Sequence, residues 1–298
     1  MAGPLLLADT PGLLYRAFFA LPDSIKSPAG LPVNALLGSA NQLLQVIERH
    51  DPRAVVLCFG EESALYRTDA FPAYHAHRPP MPEELAAQWR LAPAFFEAFG
   101  WLVVTHPELE ADDLLHSYSR READAGGQAL ILTADRDMFQ CASERVRLLL
   151  QGGGKGEPLE MGPEEVCERY GIEPALVPDF IALRGDPSDG IPGAKGIGEK
   201  TAADLLRRHG SLEAALVGAV GEKPAVRRAL IDQAEQLRMF RDLALLRDVD
   251  VEPPPDSPTD WAGGATAARA LGMQRLAARA DNFRRKSDEA LTVLPPGD

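Results

Sequence analysis

Positive charge is what this chain is short of: 31 lysines and arginines stand against 44 aspartates and glutamates in 298 residues, a net charge of −13. Phosphate binding rests mostly on Lys and Arg, so the balance taken as a whole argues against nucleic acid. Cysteine is scarce too. Cys58, Cys141 and Cys167, with no C-x-x-C pair, exclude a disulfide framework and a thiolate zinc site and point to a reducing compartment. No run of 18 apolar residues occurs, and the short apolar stretch near the amino terminus lacks a basic flank and is cut by Asp9. The reading is a cytoplasmic protein without a membrane anchor. Glycine and proline, at 26 and 25 residues, are too few for a low-complexity or collagenous chain.

The charge deficit is uneven. Between Lys195 and Arg247 ten basic residues outnumber seven acidic ones, so one segment is basic and the remainder strongly acidic.

Apolar runs of strand length recur at 4–9, 54–59, 101–105, 129–135 and 146–150, each leading into helical periodicity. Strands alternating with helices predict a largely parallel α/β sheet covered on both faces. Leu36, Leu37, Leu43, Leu44 and Ile47 form one apolar helical stripe, and Leu114, Leu115 and Tyr118 another. From 61 to about 82 the pattern gives way to aromatic, His, Arg and Pro residues, as in a functional loop or lid. After Gly171 strands cease and helices are expected, with a long one over 223–247. The stretch 251–258 reads as a linker, followed by one Ala/Arg/Leu-rich helix to about Phe283 and a tail. No internal repeat is read.

Carboxylates mark the ends of the strands. Asp9 ends the first, Asp135 and Asp137 the fourth, while Glu110, Asp112 and Asp113 open the helix after the third, and Asp186 and Asp189 lie in an acidic loop. Ligands of open parallel sheets bind beyond the carboxyl ends of strands, which brings these groups to one rim. Like charges about 4 Å apart repel by about 4 kcal/mol at an effective dielectric near 20, so the cluster calls for cations. Oxygen ligands alone select hard Mg²⁺ or Mn²⁺, and two or three such ions suit in-line displacement at phosphorus. Each acid taken singly is more often a turn or helix-cap residue than a ligand, and it is their combination that points to a metal site.

Residues 193–201, GAKGIGEKT, place three glycines and two lysines before a helix. Gly193, Gly196 and Gly198 let backbone N–H groups approach an anion, and Lys195, Lys200 and Thr201 add donors. Glu199 after Gly198 breaks the nucleotide P-loop pattern, so a nucleic-acid backbone fits better, and a plain helix-starting turn is the alternative.

LLLAD at Asp9, ELEADD at 108–113, ILTADRDMFQ at 131–140 and RGDPSDGIPGAKGIGEKTA at 184–202 make the chain resemble the 5′ nuclease family, which includes the 5′-3′ exonuclease domain of DNA polymerase I and the flap endonucleases. The likeness extends from residue 4 to about 250. It implies a PIN-like nuclease core over 1–175 with a helical arch at about 61–98, a helix-hairpin-helix-like duplex-binding region over 176–250, and a linker, helix and tail over 251–298. The implied enzyme is a stand-alone monomer that hydrolyses DNA at a 5′ flap or free 5′ end, in functional association with a polymerase and a ligase. The eight acids become metal ligands, with Asp9 catalytic, and a potassium ion assists at the hairpin. Tyr15, Arg16, Arg67, Tyr74 and Arg78 match substrate-contacting positions, Arg78 with a catalytic part.

Two positions depart from the family. Gly60 stands where an aspartate follows the second strand, which removes a ligand that Glu61 or Glu62 could replace; Gly60→Asp is then expected to raise Mg²⁺-supported activity. His75 stands where the family carries an active-site lysine, so its help with phosphate charge weakens above neutrality. The competing readings are a structure-specific DNA-binding protein with impaired catalysis and a small-molecule phosphatase. The latter leaves the basic hairpin unexplained.

Overall fold

The computed structural model describes residues 3–152 and 156–293. In chain order the elements are β1 Leu5–Asp9, α1 Thr10–Ala20, α2 Asn34–His50, β2 Ala54–Cys58, α3 Leu65–Ala70, α4 Glu83–Glu97, β3 Leu102–Val104 and α5 Ala111–Asp124. There follow β4 Ala129–Thr133, β5 Val146–Leu150, β6 Leu159–Met161, α6 Pro163–Tyr170, α7 Val177–Arg184 and α8 Glu199–His209. The last are α9 Leu212–Val217, α10 Pro224–Asp232, α11 Ala234–Ala244, α12 Trp261–Ala270 and α13 Gln274–Val293. Two compact units arise, one from residues 1–59, 80–105 and 252–298, the other from 60–79 and 106–251. This division cuts across the expected boundary at 175.

In the first unit β1, β2 and β3 run parallel, with Leu7 opposite Val56 and Val56 opposite Leu102. Every residue of β1 and β2 is buried, as continuous apolar runs in a parallel sheet require. Leu36, Leu43, Leu44 and Ile47 of α2 enter the same core. So does α4, through Leu85, Ala92, Phe95 and Phe96, and its buried Gln88 accepts from the Ala35 N–H at 2.8 Å while donating to Asn34. The expected arch is therefore no free-standing lid: α4 is a core helix, because its apolar stripe has a partner. The single C-terminal helix is in fact α12 and α13, broken at Gly272 with φ +78°, and Trp261 stacks on Phe283 across the break. The linker before them is pinned, since Arg53 bonds both the Pro254 carbonyl and Asp256.

In the second unit β4 and β5 are parallel and β6 joins antiparallel, with Leu149 opposite Glu160. β6 escaped the sequence reading because three residues with one buried side chain leave no pattern. The helical stretch over 223–247 divides at Gln233 into α10 and α11. Residues 243–249 are then held from two sides: Gln140, after β4, donates to the Ala244 carbonyl and accepts from Leu246, and Ser117 of α5 accepts from the Val249 N–H. Cys58 and Cys141 are buried thiols and Cys167 is half-buried. Among the described residues no helix is long and apolar enough to cross a membrane.

Candidate metal centre

Asp9 stands in the first unit as the last residue of β1 and the N-cap of α1, its Oδ1 accepting from the Gly12 N–H at 2.9 Å. A Cβ on Gly12 would fall 2.3 Å from Asp9 Oδ2, so the glycine leaves the carboxylate its space. Tyr15 and Arg16, one turn into α1, are half-buried.

The second unit carries the other acids. Thr133, closing β4, accepts from the Asp135 N–H at 3.0 Å, and Asp135 Oδ1 accepts from the Asp137 N–H at 2.8 Å. The loop of Asp186 and Asp189 is closed by backbone bonds between Asp186 and Ile191 at 2.7 and 2.8 Å. Asp186 is further held by Arg184 at 3.0 Å and by the Ser188 N–H at 2.8 Å. Asp137 reports their crowding. Burial pushes its carboxyl well above the usual range, and Asp135, Asp189, Asp186 and Asp112 push it the same way. Without a cation this group favours its neutral form; a hard divalent ion removes that penalty, and the all-oxygen donor set fits one. Among the described residues no three His, Cys, Asp or Glu side chains already form a metal-holding group.

Glu110 and Asp113 open α5 as a capping box. Glu110 Oε1 accepts from the Ala64 N–H at 2.7 Å and lies 3.2 Å from Arg67 Nη1, while Oε2 accepts from the Tyr74 hydroxyl at 3.1 Å. Burial and the Glu110 charge push the Tyr74 phenol upward, which keeps it a donor. Asp113 is fully enclosed and saturated. Its oxygens accept from both terminal nitrogens of Arg67, from Tyr66 and from the Arg247 N–H at 2.9 Å. Asp113 is thus withdrawn from the expected ligand set, its lone pairs being spent on protein donors.

The expected arch contacts are corrected in the same way. Arg67, Tyr74 and His75 are 2%, 4% and 6% exposed, so none is a surface group of a flexible loop. Arg67 also donates Nε to the Leu243 carbonyl at 3.0 Å. His75, at φ +55° and stacked on Tyr74, has Nδ1 2.8 Å from Ser63 Oγ and Nε2 3.0 Å from Asp189 Oδ1. It braces Asp189 rather than reaching toward a phosphate. Arg78 donates to the same Asp189 oxygen at 3.1 Å and is exposed, leaving further N–H groups for a ligand.

Gly60 has no room for a side chain. A Cβ would lie 2.4 Å from Ala111 N, 2.5 Å from the Glu110 carbonyl carbon and 2.7 Å from Leu109 O. All three are backbone atoms, so the idea of restoring a carboxylate there fails on sterics. Glu61 and Glu62 are both exposed.

In the hairpin, Lys195, Gly196, Gly198 and Lys200 are exposed and Thr201 half-buried, with open space around Gly196 and Gly198. Gly193 is different. It is buried at φ +69°, and a Cβ would strike Gly185 N at 2.4 Å, so it closes the loop instead of facing a ligand. Sequence reasoning missed the Arg67 clamp, Ser63, Gln140 and the cation–π contact of Arg247 over Tyr66 at 3.8 Å. Each depends on contacts between residues far apart in the chain, which no local spacing reveals.

Residues 4–171 match the model of the 5′-3′ exonuclease N-terminal resolvase-like domain, and 172–260 that of the 5′-3′ exonuclease C-terminal SAM fold. A 5′-3′ exonuclease of Mycobacterium tuberculosis is 36% identical over 250 residues, 77% of this chain and 78% of that protein. The thermostable DNA polymerase I of Thermus thermophilus is 39% identical over 246 residues, 82% of this chain. The chain spans 29% of that polymerase and 28% of the Mycobacterium bovis enzyme, with which it shares 35% identity over 255 residues. In fold it is similar to the bacteriophage T5 flap endonuclease solved with DNA and metal ions, at TM-score 0.67 and 17% identity, covering 94% of this chain and 98% of that one. The catalytic core of Rad2 with DNA substrate is similar at TM-score 0.63 and 14% identity, covering 94% and 91%.

Proposed function

The chain belongs to the 5′-3′ exonuclease family, and from that premise we propose that it hydrolyses phosphodiesters of DNA bearing a 5′ flap or a free 5′ end. In the second unit Asp112, Asp135, Asp137, Asp186 and Asp189, with Glu110 beside them, are the groups that would hold divalent ions; Asp9 is the corresponding group of the first unit. Hard ions, Mg²⁺ or Mn²⁺, supply Lewis acidity and an activated water at such sites. The chain's own residues do the positioning. Tyr74 and Arg67 fix Glu110, His75 fixes Asp189, and Arg78 offers its remaining donors to the phosphate under attack. Lys195, Lys200 and the amides around Gly196 and Gly198 face a duplex backbone, with potassium as the ion suited to the turn.

The upward push on Asp137 carries this reading, because a half-buried carboxyl under the charge of four others is costly unless a cation joins them. The DNA polymerase I relatives that match hint at work beside a polymerase; a ligase partner, a monomeric state and a cytoplasmic location are part of the same proposal. A labelled 5′-flap substrate incubated with Mg²⁺, Mn²⁺ or EDTA tests it. Cation-dependent incision that Asp135→Asn removes is the expected result. Shifted but uncut DNA under every cation would instead establish a binding protein with impaired catalysis, the reading that Gly60 favours.

A further inference from the structure

A short piece of the hairpin sequence before α8 recurs further along the chain. Ile197-Gly198-Glu199-Lys200 followed by Ala202 recurs as Val220-Gly221-Glu222-Lys223 followed by Ala225; α8 starts at Glu199 inside the first piece, and α10 starts at Pro224 directly after the second. The two turns belong to one framework. Arg208 and His209, at the end of α8, grip Glu222 of the second turn, with Arg208 Nη1 at 2.5 Å and His209 Nε2 at 2.8 Å from Oε1. Gly218 lets the turn lie against His209, since a Cβ there would sit 2.6 Å from the imidazole Cε1. At the other end of α10, Gln233 Oε1 accepts from the Lys195 N–H of the first turn at 3.0 Å.

The surface this framework presents is unclaimed. Val217 and Val220 at the second turn are 83% and 71% exposed. Lys223, Arg227, Ile231, Pro224 and Arg228 fall within about 140° of the helical circumference at 100° per residue. Lys223 and Arg228 are exposed and Arg227 half-buried, and no carboxylate engages any of the three among the described residues. Between Lys223 and Gln233 the sequence has one acid, Asp232. Elsewhere on this unit the acids Glu213 and Glu222 are already held by Arg238 and Arg208.

We propose that α10 and its turn form a second phosphate-backbone contact, by which Lys223, Arg227 and Arg228 extend the footprint of the first hairpin along duplex DNA. From Lys223 to Gln233, which holds Lys195 of the first turn, α10 runs ten residues at about 1.5 Å each, about 15 Å, which spans roughly four phosphates of one strand at 3.4 Å per step. The inference rests on the nuclease reading for its ligand. It adds a surface that the first hairpin does not include, and it accounts for the excess of basic residues between 195 and 247.

The test compares the full chain with a Lys223→Ala/Arg227→Ala/Arg228→Ala variant. A matched control, Arg275→Ala/Arg284→Ala/Arg285→Ala, removes equal charge from exposed positions of α13. Binding of a fluorescent 5′-flap duplex is measured in EDTA across about 50–200 mM salt, where each lost phosphate contact lowers the salt slope by about 0.9. The expected result is a slope reduced by at least about 1 beyond the control, with roughly tenfold weaker binding. A slope that matches the control overturns the proposal, provided that both variants melt as the parent does. If the parent fails to cut the flap with any divalent ion, the nuclease reading falls by itself, because the slope is read without catalysis.

Discussion

Arg67 and Asp113 meet through two parallel hydrogen bonds, Nη1 to Oδ2 at 3.1 Å and Nη2 to Oδ1 at 3.0 Å, with both side chains withdrawn from solvent. Around them gather the Leu243 carbonyl, the Arg247 N–H and Glu110, so one ion pair ties α3, the start of α5 and the segment after α11 together. Removing one partner of a buried pair strands the other charge. Arg67→Met and Asp113→Ala are each expected to cost about 3–5 kcal/mol of unfolding free energy, measured by urea denaturation. A loss below about 1 kcal/mol would show that the clamp carries little of the fold's stability.

Asp137 predicts the opposite sign. In metal-free buffer Asp137→Asn relieves a carboxyl crowded by four others, so the melting temperature stays level or rises. The same variant loses the stabilisation that Mn²⁺ gives the parent, since a ligand raises stability only through the sites it binds. Calorimetric scans with and without Mn²⁺ measure both effects. Destabilisation of the metal-free variant would contradict the assignment.

Gly60→Ala and Gly60→Asp press a Cβ into the backbone of Leu109–Ala111. Overpacking of this kind costs about 1–3 kcal/mol, and no rise in Mg²⁺-supported incision accompanies it. Thermal melts and initial rates of flap cleavage check the two statements separately.

His75 is expected to act through Asp189. Replacing it with Asn, which tolerates the positive φ, removes the ring that spans from Ser63 to Asp189. Outer partners of metal ligands typically tune affinity by about 10–100-fold, so Mn²⁺ titration calorimetry of His75→Asn should show a loss in that range. Unchanged affinity with slowed cleavage would instead return the imidazole to the substrate.

Glu222 supplies a pH dependence. Hydrogen bonds from Arg208 and then His209 hold its carboxyl down at about 2. A depressed folded value means a contribution that is present above the unfolded pKa near 4.3 and lost as pH falls toward 2. Glu222→Gln is therefore less stable than the parent at pH 7, and the gap narrows between pH 5 and pH 3 in denaturant titrations. A gap that stays constant over that interval would exclude the ionised carboxylate as its source.

The sheet and most helices are legible in the sequence because a buried strand must be apolar throughout, and β1, β2, β4 and β5 leave runs that nothing else explains. The acids are legible for the same reason, as charges set where apolar runs stop. What the letters conceal is the use of each charge. Asp112 and Asp113 are neighbours in sequence, yet the step of about 100° between them on α5 puts the first under the charge of the acidic cluster and the second against Arg67. Gly60 reads as a lost ligand until the backbone of Leu109–Ala111 is seen to fill the space beside it. Arg67, His75 and Tyr74 read as groups turned to the substrate because their partners, Asp113, Asp189 and Glu110, lie tens of residues away in the chain.

Gln88, buried between α4 and the start of α2, ties these two helices together inside the first unit. In the second unit Tyr74 and His75 are anchored to Glu110 and Asp189, so the conformational entropy of these side chains is surrendered during folding. The slack that remains lies in the exposed stretch 76–80, around Arg78.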